Sequence, residues 1–457
     1  MKWLERVSEA VWNPWMLGAF LAVGLICSVR TGFFQLFGVR IWWRNTAGCI
    51  LRGKETGQGE GLSALQTLCT ALASTIGTGS VAGVATAIWF GGPGAVFWMW
   101  VSAFLGMMTG FVEKLLVARY RKRGQDGWLG GPMYYLQDGL KVPGLAAAFS
   151  FFCICAALAG GDLVQANSIA SALSDAFSVP PLLVGVLTAA LVGLVMFGGI
   201  GRIAEVSEKL VPLMAALFLT GCAVVLFAHR AALPGALMGI VKAALSRKAA
   251  MGGGAGYGMM QAMRYGIARG VFTNEAGLGS SAIAYATSRE NDPVRQGMWG
   301  MLEVFAATLV ICTASALVLL TSGVHDPETA LRAIQNGEGS AMVGVPMASA
   351  AFASVLGEGG RALLAGCLTL FAFSSLLGWS YYGEQSLCYL TDGKRWVTGY
   401  RMVFLLVILL GSVSDVATAW LLSDLFNALM AAPNLVGILL LSGEAAGEWK
   451  RWMKKRG

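Results

Sequence analysis

Long apolar runs recur from one end of this 457-residue chain to the other. A helix that spans a membrane needs roughly 20 mostly apolar residues. Charged residues make up only 13% of the chain, whereas soluble globular proteins carry about 25%. A soluble fold of this length would lack the polar surface that keeps it dissolved. The pattern therefore predicts an all-α polytopic membrane protein in which residues 1–457 form a single membrane domain.

Runs of sufficient length predict about eleven transmembrane helices. They lie near residues 11–29, 63–89, 94–118, 145–174, 181–200, 205–228, 258–286, 297–322, 360–390, 397–412 and 415–442. Splitting the last run at Pro433–Asn434 would give about twelve. The position of the basic residues decides between these two counts.

Basic residues gather in alternate loops and in the tail at 443–457. Placing all of them in the cytoplasm satisfies the positive-inside rule. This placement requires an external N-terminus, a cytoplasmic C-terminus and an odd number of crossings, which favours about eleven spans. The basic segment 230–248 then falls on the outer side, and we expect it to lie along the membrane surface as an amphipathic helix. The predicted location is a bacterial inner membrane.

An odd number of spans suggests one extra N-terminal helix at 11–29 followed by two five-helix repeats, at 63–228 and 258–442. Because each repeat crosses an odd number of times, the second must be inserted upside down relative to the first. Inverted repeats of this kind recur in transporters, whose interrupted helices form the binding site. The first helix of each repeat should therefore be a broken helix.

Two clusters of glycine with hydroxyl or amide residues occupy matching places in the two repeats, at Ala73–Gly83 and Ala268–Ser280. Glycine permits unwound backbone, which is tolerated inside a membrane only where it lines a cavity. Exposed N–H groups at a half-helix N-terminus bind a carboxylate, and freed carbonyls coordinate a cation. An amino-acid zwitterion and a sodium ion need this combination. The alternative is that these glycines allow close helix packing.

Other functional classes are disfavoured by what the chain contains. The net charge of +8 reflects cations at helix ends and does not predict nucleic-acid binding. Two histidines are too few for a histidine-based metal site, and most cysteines lie in apolar runs as small hydrophobic residues. We find no serine-hydrolase, zinc-protease or Walker motif, so an enzyme is not expected. Two matched helix breaks fit a carrier better than a channel.

Several long motifs resemble the alanine or glycine:cation symporter family, over about residues 14–440. They are GTGSVAGVATAIWFGGPGAVFWMW (77–100), FVEKLLVARYR, GGPMYYL, GDLVQANSIA (161–170), GIARGVFTNEAGLGSS (266–281), DPVRQG (292–297) and FAFSSLLGWSYYGE (371–384). The resemblance implies a leucine-transporter-like inverted repeat. It also implies symport of a small neutral amino acid, alanine or glycine, driven by sodium; a proton-coupled carrier or one for a different substrate is the alternative.

The resemblance implies a substrate site between the two helix breaks. Its residues are Thr78 and Gly79 at the first break, Gln165, then Phe272, Thr273 and Asn274 at the second break, and Ser375 with Trp379 on a later helix. Trp379 would keep the pocket small. Gln165 has an alternative role in a helix–helix hydrogen bond, Phe272 in packing against other helices or lipid, and Trp379 in the interfacial belt.

The resemblance also places a sodium site between the first broken helix and the helix at 360–390. By position, its ligands are the Ala73 and Ile76 carbonyls and the Ser374 and Ser375 hydroxyls. Oxygen ligands suit a hard cation, and the substrate carboxylate supplies the missing negative charge. No cofactor and no metal other than the transported sodium are expected. The oligomeric state, the choice among alanine, glycine and serine, and the choice of sodium or proton stay open.

Two positions depart from the family pattern: Ser80 stands where Asn is common, and Asp162 stands where an amide is common. An acid inside a membrane span is costly and is a functional candidate. Asp162 would titrate, pair with Arg264 or Arg269, or shift the coupling ion toward protons. The alternative is a position in water near a helix end. The remaining intramembrane acids, Glu113, Glu303 and Glu384, are expected in structural pairs or at cytoplasmic helix ends. The adjacent Lys114 does not by sequence imply a pair with Glu113.

Overall fold

The computed structural model describes residues 11–52, 60–124, 127–245, 258–335 and 343–455. Within these ranges six helices are long and apolar enough to cross a membrane, and five shorter helices are also apolar. The predicted all-α polytopic architecture is therefore confirmed. The number of crossings and the repeat boundaries stay predictions.

Thirteen helices precede the second broken helix in the described residues. They are α1 Pro14–Arg30, α2 Phe34–Phe37, α3 Val39–Asn45, α4 Ala47–Ile50, α5 Ala64–Thr75, α6 Ala82–Gly91, α7 Gly94–Tyr120, α8 Pro132–Tyr134, α9 Pro143–Leu158, α10 Val164–Phe177, α11 Pro181–Met196, α12 Gly199–Ala228 and α13 Leu233–Leu245. A 3₁₀ turn, Thr78–Ser80, joins α5 to α6, and another, Arg230–Ala232, precedes α13. A π-helical turn, Tyr135–Gly139, follows α8, and another, Ala159–Leu163, joins α9 to α10.

Nine helices follow in the described residues. They are α14 Met259–Asn274, α15 Ser280–Tyr285, α16 Pro293–Val304, α17 Thr313–Thr321, α18 Pro327–Gln335, α19 Val345–Leu356, α20 Glu358–Leu390, α21 Val397–Val413 and α22 Val416–Lys454. The π-helical turn Phe305–Cys312 joins α16 to α17. A small hairpin of β1 Lys122–Gly124 and β2 Gly127–Leu129 pairs Lys122 with Leu129.

The first predicted helix break is confirmed between α5 and α6. A capping box of Ser63 and Gln66 starts α5. The helix ends at Thr75, and Gly77 is extended, with φ −106° and ψ −162°. A single 3₁₀ turn then leads into α6. The polar backbone of this stretch is completely surrounded by protein, as unwound backbone at membrane depth requires.

The second predicted break is confirmed between α14 and α15. Glu275 ends α14 in the left-handed region, with φ 53°. Gly277 and Gly279 follow with φ of 91° and 86°, a conformation that glycine adopts without strain. Three left-handed residues in five positions turn the chain sharply before Ser280 begins α15. The glycines of this motif are therefore conformational requirements and not only packing residues.

Long helices enclose the two broken helices. α7 runs along α14 and α16, while α9 and α10 run along α20. α5 packs against α12, α15 and α20, and α22 packs against α9 and the π-helical turn 159–163. α22 continues without interruption through Pro433, which favours one span over two in this region. Its 39 residues extend about 58 Å, so its basic C-terminal end projects beyond a hydrocarbon core of about 30 Å.

Two loop regions differ from, or add to, the prediction. The β1–β2 hairpin lies in the basic loop between α7 and α8, where the sequence predicts no strand. The basic segment 230–248 is helical from Leu233 to Leu245, and its last residues lie outside the described part of the chain. This helix α13 packs against α7 and α17. Its predicted position along the membrane surface stays a prediction.

Candidate functional site

The first break and helix α10 meet through Thr78 and Gln165. The backbone N–H and the hydroxyl of Thr78 both donate to Gln165 Oε1, at 3.4 and 3.1 Å. The other end of this amide donates from Nε2 to the Gly160 carbonyl at 3.1 Å. The π-helical turn 159–163 leaves this carbonyl accessible to a side chain. Gln165 thus connects the first break to the π-helical turn 159–163. The structure places it at the first break, next to Thr78.

Glycines at the first break allow neighbouring elements to approach closely. A Cβ on Gly79 would lie 2.7 Å from the Phe272 ring, and one on Gly77 would lie 2.6 Å from Ser375 Oγ. Both distances are too short for a real side chain without rearrangement of the neighbours. The first break therefore contacts the end of α14 on one side and the middle of α20 on the other.

Oxygen atoms converge between α5 and α20, where the sodium site is predicted. The hydroxyls of Ser374 and Ser375 donate to the Ala73 carbonyl at 3.0 and 3.1 Å. Ser375 also lies 3.3 Å from the Ser74 carbonyl. Ile76, the fourth predicted ligand, is buried at the end of α5. Carbonyl and hydroxyl oxygens of this kind suit a hard monovalent cation.

A second polar cluster surrounds the end of α14. Thr273 Oγ1 donates to the Gly270 carbonyl at 2.9 Å and lies 3.4 Å from Thr308 Oγ1. Asn274 Nδ2 donates to the same threonine at 3.2 Å, and its Oδ1 accepts from the Ala276 N–H at 3.0 Å. Thr308 was not identified from the sequence, because one threonine within an apolar run carries no distinguishing signal.

A small cavity lies where the two breaks cross. Its volume is about 10 Å³, room for about one water molecule and far below the range of about 300–1,000 Å³ typical of small-molecule sites. The lining residues are Ser74, Thr75, Gly77, Gly79, Gln165, Phe272, Glu275, Leu278, Trp379 and Asn427. Half of the predicted substrate residues therefore line the cavity. The other four do not line the cavity but neighbour residues that do: Thr78, Thr273, Asn274 and Ser375.

The walls of the cavity include two aromatic residues. Trp379 is 5% exposed and packs edge-on against Tyr382, with ring centroids 5.6 Å apart. Trp379 packs directly against Gly161. A Cβ added to Gly161 would lie 2.4 Å from the Trp379 Cβ, so no larger residue fits there without rearrangement. The burial of Trp379 excludes the alternative position in the interfacial belt. The sequence reasoning missed Asn427. Asn427 and Ser423 are one helical turn apart and form a polar pair inside an apolar run.

An ion pair and three aromatic contacts cover the Phe272 side of the cavity. Arg269 donates to both carboxylate oxygens of Asp424, at 2.9 and 2.8 Å. Its guanidinium lies 4.7 Å from the Trp420 ring centroid, and Trp420 packs on Phe272 at 5.3 Å. We call Arg269, Phe272, Trp420 and Asp424 the lid. The lid joins α14 to α22, and Phe272 is its inner member.

The structure excludes the paired and the water-exposed placements of Asp162, since neither Arg264 nor Arg269 donates to it, and its predicted titration stays a prediction. Asp162 is completely buried in the π-helical turn, so the alternative of a water-exposed helix end is wrong. Arg269 is occupied by Asp424, so the expected pair with Arg269 is also wrong. Neither carboxylate oxygen accepts a hydrogen bond from any residue that the structure describes.

Glu113, Glu303 and Glu384 are in structural pairs, as predicted. Lys114 Nζ lies 3.3 Å from Glu113 Oε2 and 3.5 Å from Glu303 Oε2, all three side chains being fully buried. The adjacent pair forms although the sequence did not imply it, because both long side chains bend toward the same interior space. Glu113 Oε1 accepts from the Gly277 N–H at 3.0 Å and from Asn434 Nδ2 at 2.6 Å. Separately, Arg401 pairs with Glu384 at 2.8 Å.

The broken helices are also connected beyond the end of α15. Leu62, just before α5, forms a parallel bridge with Ser288, through the Thr287 carbonyl and the Arg289 N–H, both at 2.8 Å. Arg121 donates to the Ser288 carbonyl at 2.6 Å and stacks 4.2 Å from the Trp128 ring centroid of the hairpin. We call this set the latch. It joins the start of α5 to the segment after α15.

Relatives and solved structures resemble the chain over nearly its whole length. The sodium/alanine symporter AgcS of Methanococcus maripaludis is 38% identical over 99% of this chain and 97% of that protein. The probable sodium/glutamine symporter GlnT of Bacillus subtilis is 34% identical, over 95% and 87%.

Among solved structures, MhsT in complex with L-phenylalanine aligns over 86% of this chain and 99% of that chain, with a TM-score of 0.53 at 13% identity. The Eremococcus coleocola manganese transporter aligns over 85% and 79%, with a TM-score of 0.53 at 17% identity. At these identities the likeness shows the fold alone, a leucine-transporter-like inverted repeat. A model of the sodium:alanine symporter family matches residues 1–457. The chain belongs to the sodium:alanine symporter family, and it is accordingly a multi-pass membrane transporter and not an enzyme.

Proposed function

We propose that the protein is a secondary active symporter that imports a small neutral amino acid, alanine or glycine, driven by a sodium gradient. The observation that carries this proposal is the small cavity at the crossing of the two helix breaks, which residues of both breaks and of α20 line. It is small and enclosed, and it lies beside the oxygen atoms that converge between α5 and α20. Alternating opening of the lid and the latch would expose it to each side in turn.

The backbone around the cavity suits a zwitterion. α6 begins directly after the Thr78–Ser80 turn, so its first N–H groups and its dipole favour a carboxylate. The Gln165 amide, already at the cavity wall, can exchange its bond to Thr78 for one to the substrate. The C-terminal ends of α5 and α14 carry partial negative charge and would favour the ammonium group of the substrate.

Cation coupling follows from the same broken helix. The Ala73 carbonyl that accepts from Ser374 and Ser375 belongs to the last turn of α5. A sodium ion bound there would hold α5 against α20 and would sit next to the substrate site. We propose Ala73, Ile76, Ser374 and Ser375 as its ligands. Binding of one species then stabilises the geometry that the other requires.

The cavity favours alanine or glycine over larger substrates. Relatives include a sodium/alanine symporter and a probable sodium/glutamine symporter, so the family does not fix the side chain. Phe272 and Trp379 both line this cavity, and they leave little space beyond a methyl group. We also propose a bacterial inner-membrane location with an external N-terminus and a cytoplasmic C-terminus, from the positive-inside rule.

Uptake of labelled alanine into proteoliposomes under an inward sodium gradient tests the proposal. Thr78→Val removes the hydroxyl that donates to Gln165 and should reduce uptake at least about tenfold, since a polar group at the site loses its partner. Thr86→Val is the matched control, because its hydroxyl donates only to Ala82 of its own helix. Equal uptake by both variants, or no sodium-dependent alanine uptake by the wild type, would overturn the proposal.

A further inference from the structure

Asp162 lies near the middle of a long span, away from either membrane surface. Helices α9 and α10 and the π-helical turn between them form a continuous span from Pro143 to Phe177. Asp162 is the fourth residue of that turn and is completely buried. The turn packs against α20, α21 and α22, so protein surrounds the carboxyl on all sides.

The buried basic side chains around the site are already paired with other acids. Lys114 contacts Glu113 and Glu303. Arg269 is held by Asp424, and Arg401 by Glu384. No described residue donates a hydrogen bond to either oxygen of Asp162. An isolated carboxylate is very costly in such surroundings, whereas a neutral carboxylic acid is tolerated.

Arg401 is a cation on an element packed against the turn, and Glu384 already pairs with it. The titratable groups on these elements include Cys153 on α9, Asp175 on α10, Tyr382 and Glu384 on α20, Tyr400 and Arg401 on α21, and Asp424 on α22. Asp175 accepts from Ser349 at 3.1 Å, far along its helix from the turn. The Tyr400 hydroxyl is buried without a hydrogen-bond partner among the described residues. A proton on Asp162 is the simplest neutralising species.

The turn that carries Asp162 forms part of the support of the substrate cavity. The Gly160 carbonyl accepts from Gln165, and Gly161 lies against Trp379. Asn427 also approaches Gly160, where a Cβ would lie 3.2 Å from its Nδ2. Gln165, Trp379 and Asn427 all line the cavity, whereas Asp162 does not. The Asp162 carboxyl therefore lies one layer of side chains behind the cavity and does not contact it directly.

We propose that Asp162 is a proton-binding site of the transport cycle, so that one proton crosses the membrane with each amino acid and its sodium. The proton adds to one carboxylate oxygen on the outer side and leaves to water on the inner side, which restores the carboxylate. The gain of charge upon deprotonation would disfavour the closed packing of α20, α21 and α22 around the turn. The cotransport step rests on the proposed function; the protonation of the buried carboxyl does not.

Infrared spectroscopy on the purified full-length protein tests the protonation without any transport. At neutral pH the wild type should show a protonated-carboxyl band that shifts in deuterium oxide and is absent from Asp162→Asn. Asp175→Asn, the same substitution on helix α10, should leave that band intact. A difference spectrum without the band would overturn the proposal, and so would a band that sodium abolishes at constant pH, since that would make Asp162 a sodium ligand.

Proteoliposomes loaded with a pH-sensitive dye test the movement of the proton. Adding alanine and sodium outside should acidify the interior for the wild type and for Asp175→Asn but not for Asp162→Asn. Because Asp162→Asn mimics the neutral carboxyl, exchange of labelled for unlabelled alanine should continue and lose its pH dependence. For the wild type, uptake should fall by up to about tenfold per pH unit above the titration point.

The two experiments fail in distinguishable ways. If no variant takes up alanine under any gradient, the proposed substrate is wrong, and the infrared band still decides whether Asp162 holds a proton. If alanine uptake proceeds with sodium alone and the interior never acidifies in the wild type, the proton-transport proposal is wrong while the proposed function stands.

Discussion

At the scale of single residues, Trp379 is the side chain most directly tied to substrate size. It lines the cavity and is fixed from behind by Gly161 and Tyr382. Trp379→Ala should enlarge the cavity and improve competition by leucine about tenfold or more, since each added methylene in an apolar pocket is worth about 1–3 kcal/mol. Competition against labelled alanine uptake measures this change.

The control for that substitution is Trp396→Ala, which removes an exposed tryptophan, 57% accessible, that does not line the cavity. It should leave the order of substrate preference unchanged. If leucine stays excluded from the Trp379→Ala variant although that variant still transports alanine, then some other residue limits substrate size, and Phe272 is the next candidate.

The sequence predicted single residues best where the signal was local. Thr78, Gly79 and Phe272 belong to glycine-rich motifs, and the structure brings them together at the crossing of the breaks. Thr308 and Asn427 were missed, because each is a single polar residue whose role depends on a distant helix. Asp162 was recognised as unusual, but only packing could decide that neither water nor Arg269 reaches it.

At the scale of elements, the lid depends on the ion pair between α14 and α22. The Arg269 and Asp424 side chains are 9% and 19% exposed, so loss of one partner leaves the other largely buried and unpaired. Breaking such pairs costs about 3–5 kcal/mol when they are fully buried, and less here because Asp424 reaches solvent. Arg269→Gln should therefore lower the apparent affinity for alanine at least about tenfold, by making closure of the lid less favourable.

Arg361→Gln is the matched control on α20. Its partner Glu358 is 86% exposed, and exposed pairs contribute only about 0–1 kcal/mol. Exchanging the two charges of the lid, Arg269→Asp with Asp424→Arg, should recover part of the affinity. A loss of the same size in Arg361→Gln, or no loss in Arg269→Gln, would show that the lid pair does not govern closure.

At this scale the sequence predicts where helices break but not which distant residues hold the breaks in place. Both helix breaks were predicted, since runs of glycine and hydroxyl residues in an apolar segment are a local pattern. The contacts that position these breaks join residues 155 and 164 positions apart, in the Arg269–Asp424 and Gly277–Glu113 pairs. Nothing in the local pattern encodes such distances. The β1–β2 hairpin was missed because its few residues were considered only for their charge.

At the scale of the whole molecule, the lid lies beside the second break, whereas the latch lies at the start of α5 and beyond the end of α15. Alternating access requires that they open in turn. The latch joins the start of α5 to the segment after α15 through the Leu62–Ser288 bridge. Because bridged residues on neighbouring strands lie about 5 Å apart, a disulfide between them is geometrically allowed.

The double variant Leu62→Cys with Ser288→Cys should therefore lock the latch end. After oxidation in proteoliposomes, sodium-driven alanine uptake should fall at least about tenfold and return after reduction, because the latch end can no longer open. Each single variant serves as the control, since the nine native cysteines are exposed to the same oxidant. If mass spectrometry confirms the crosslink and uptake continues undiminished, the latch does not open during transport, and the release path must lie elsewhere.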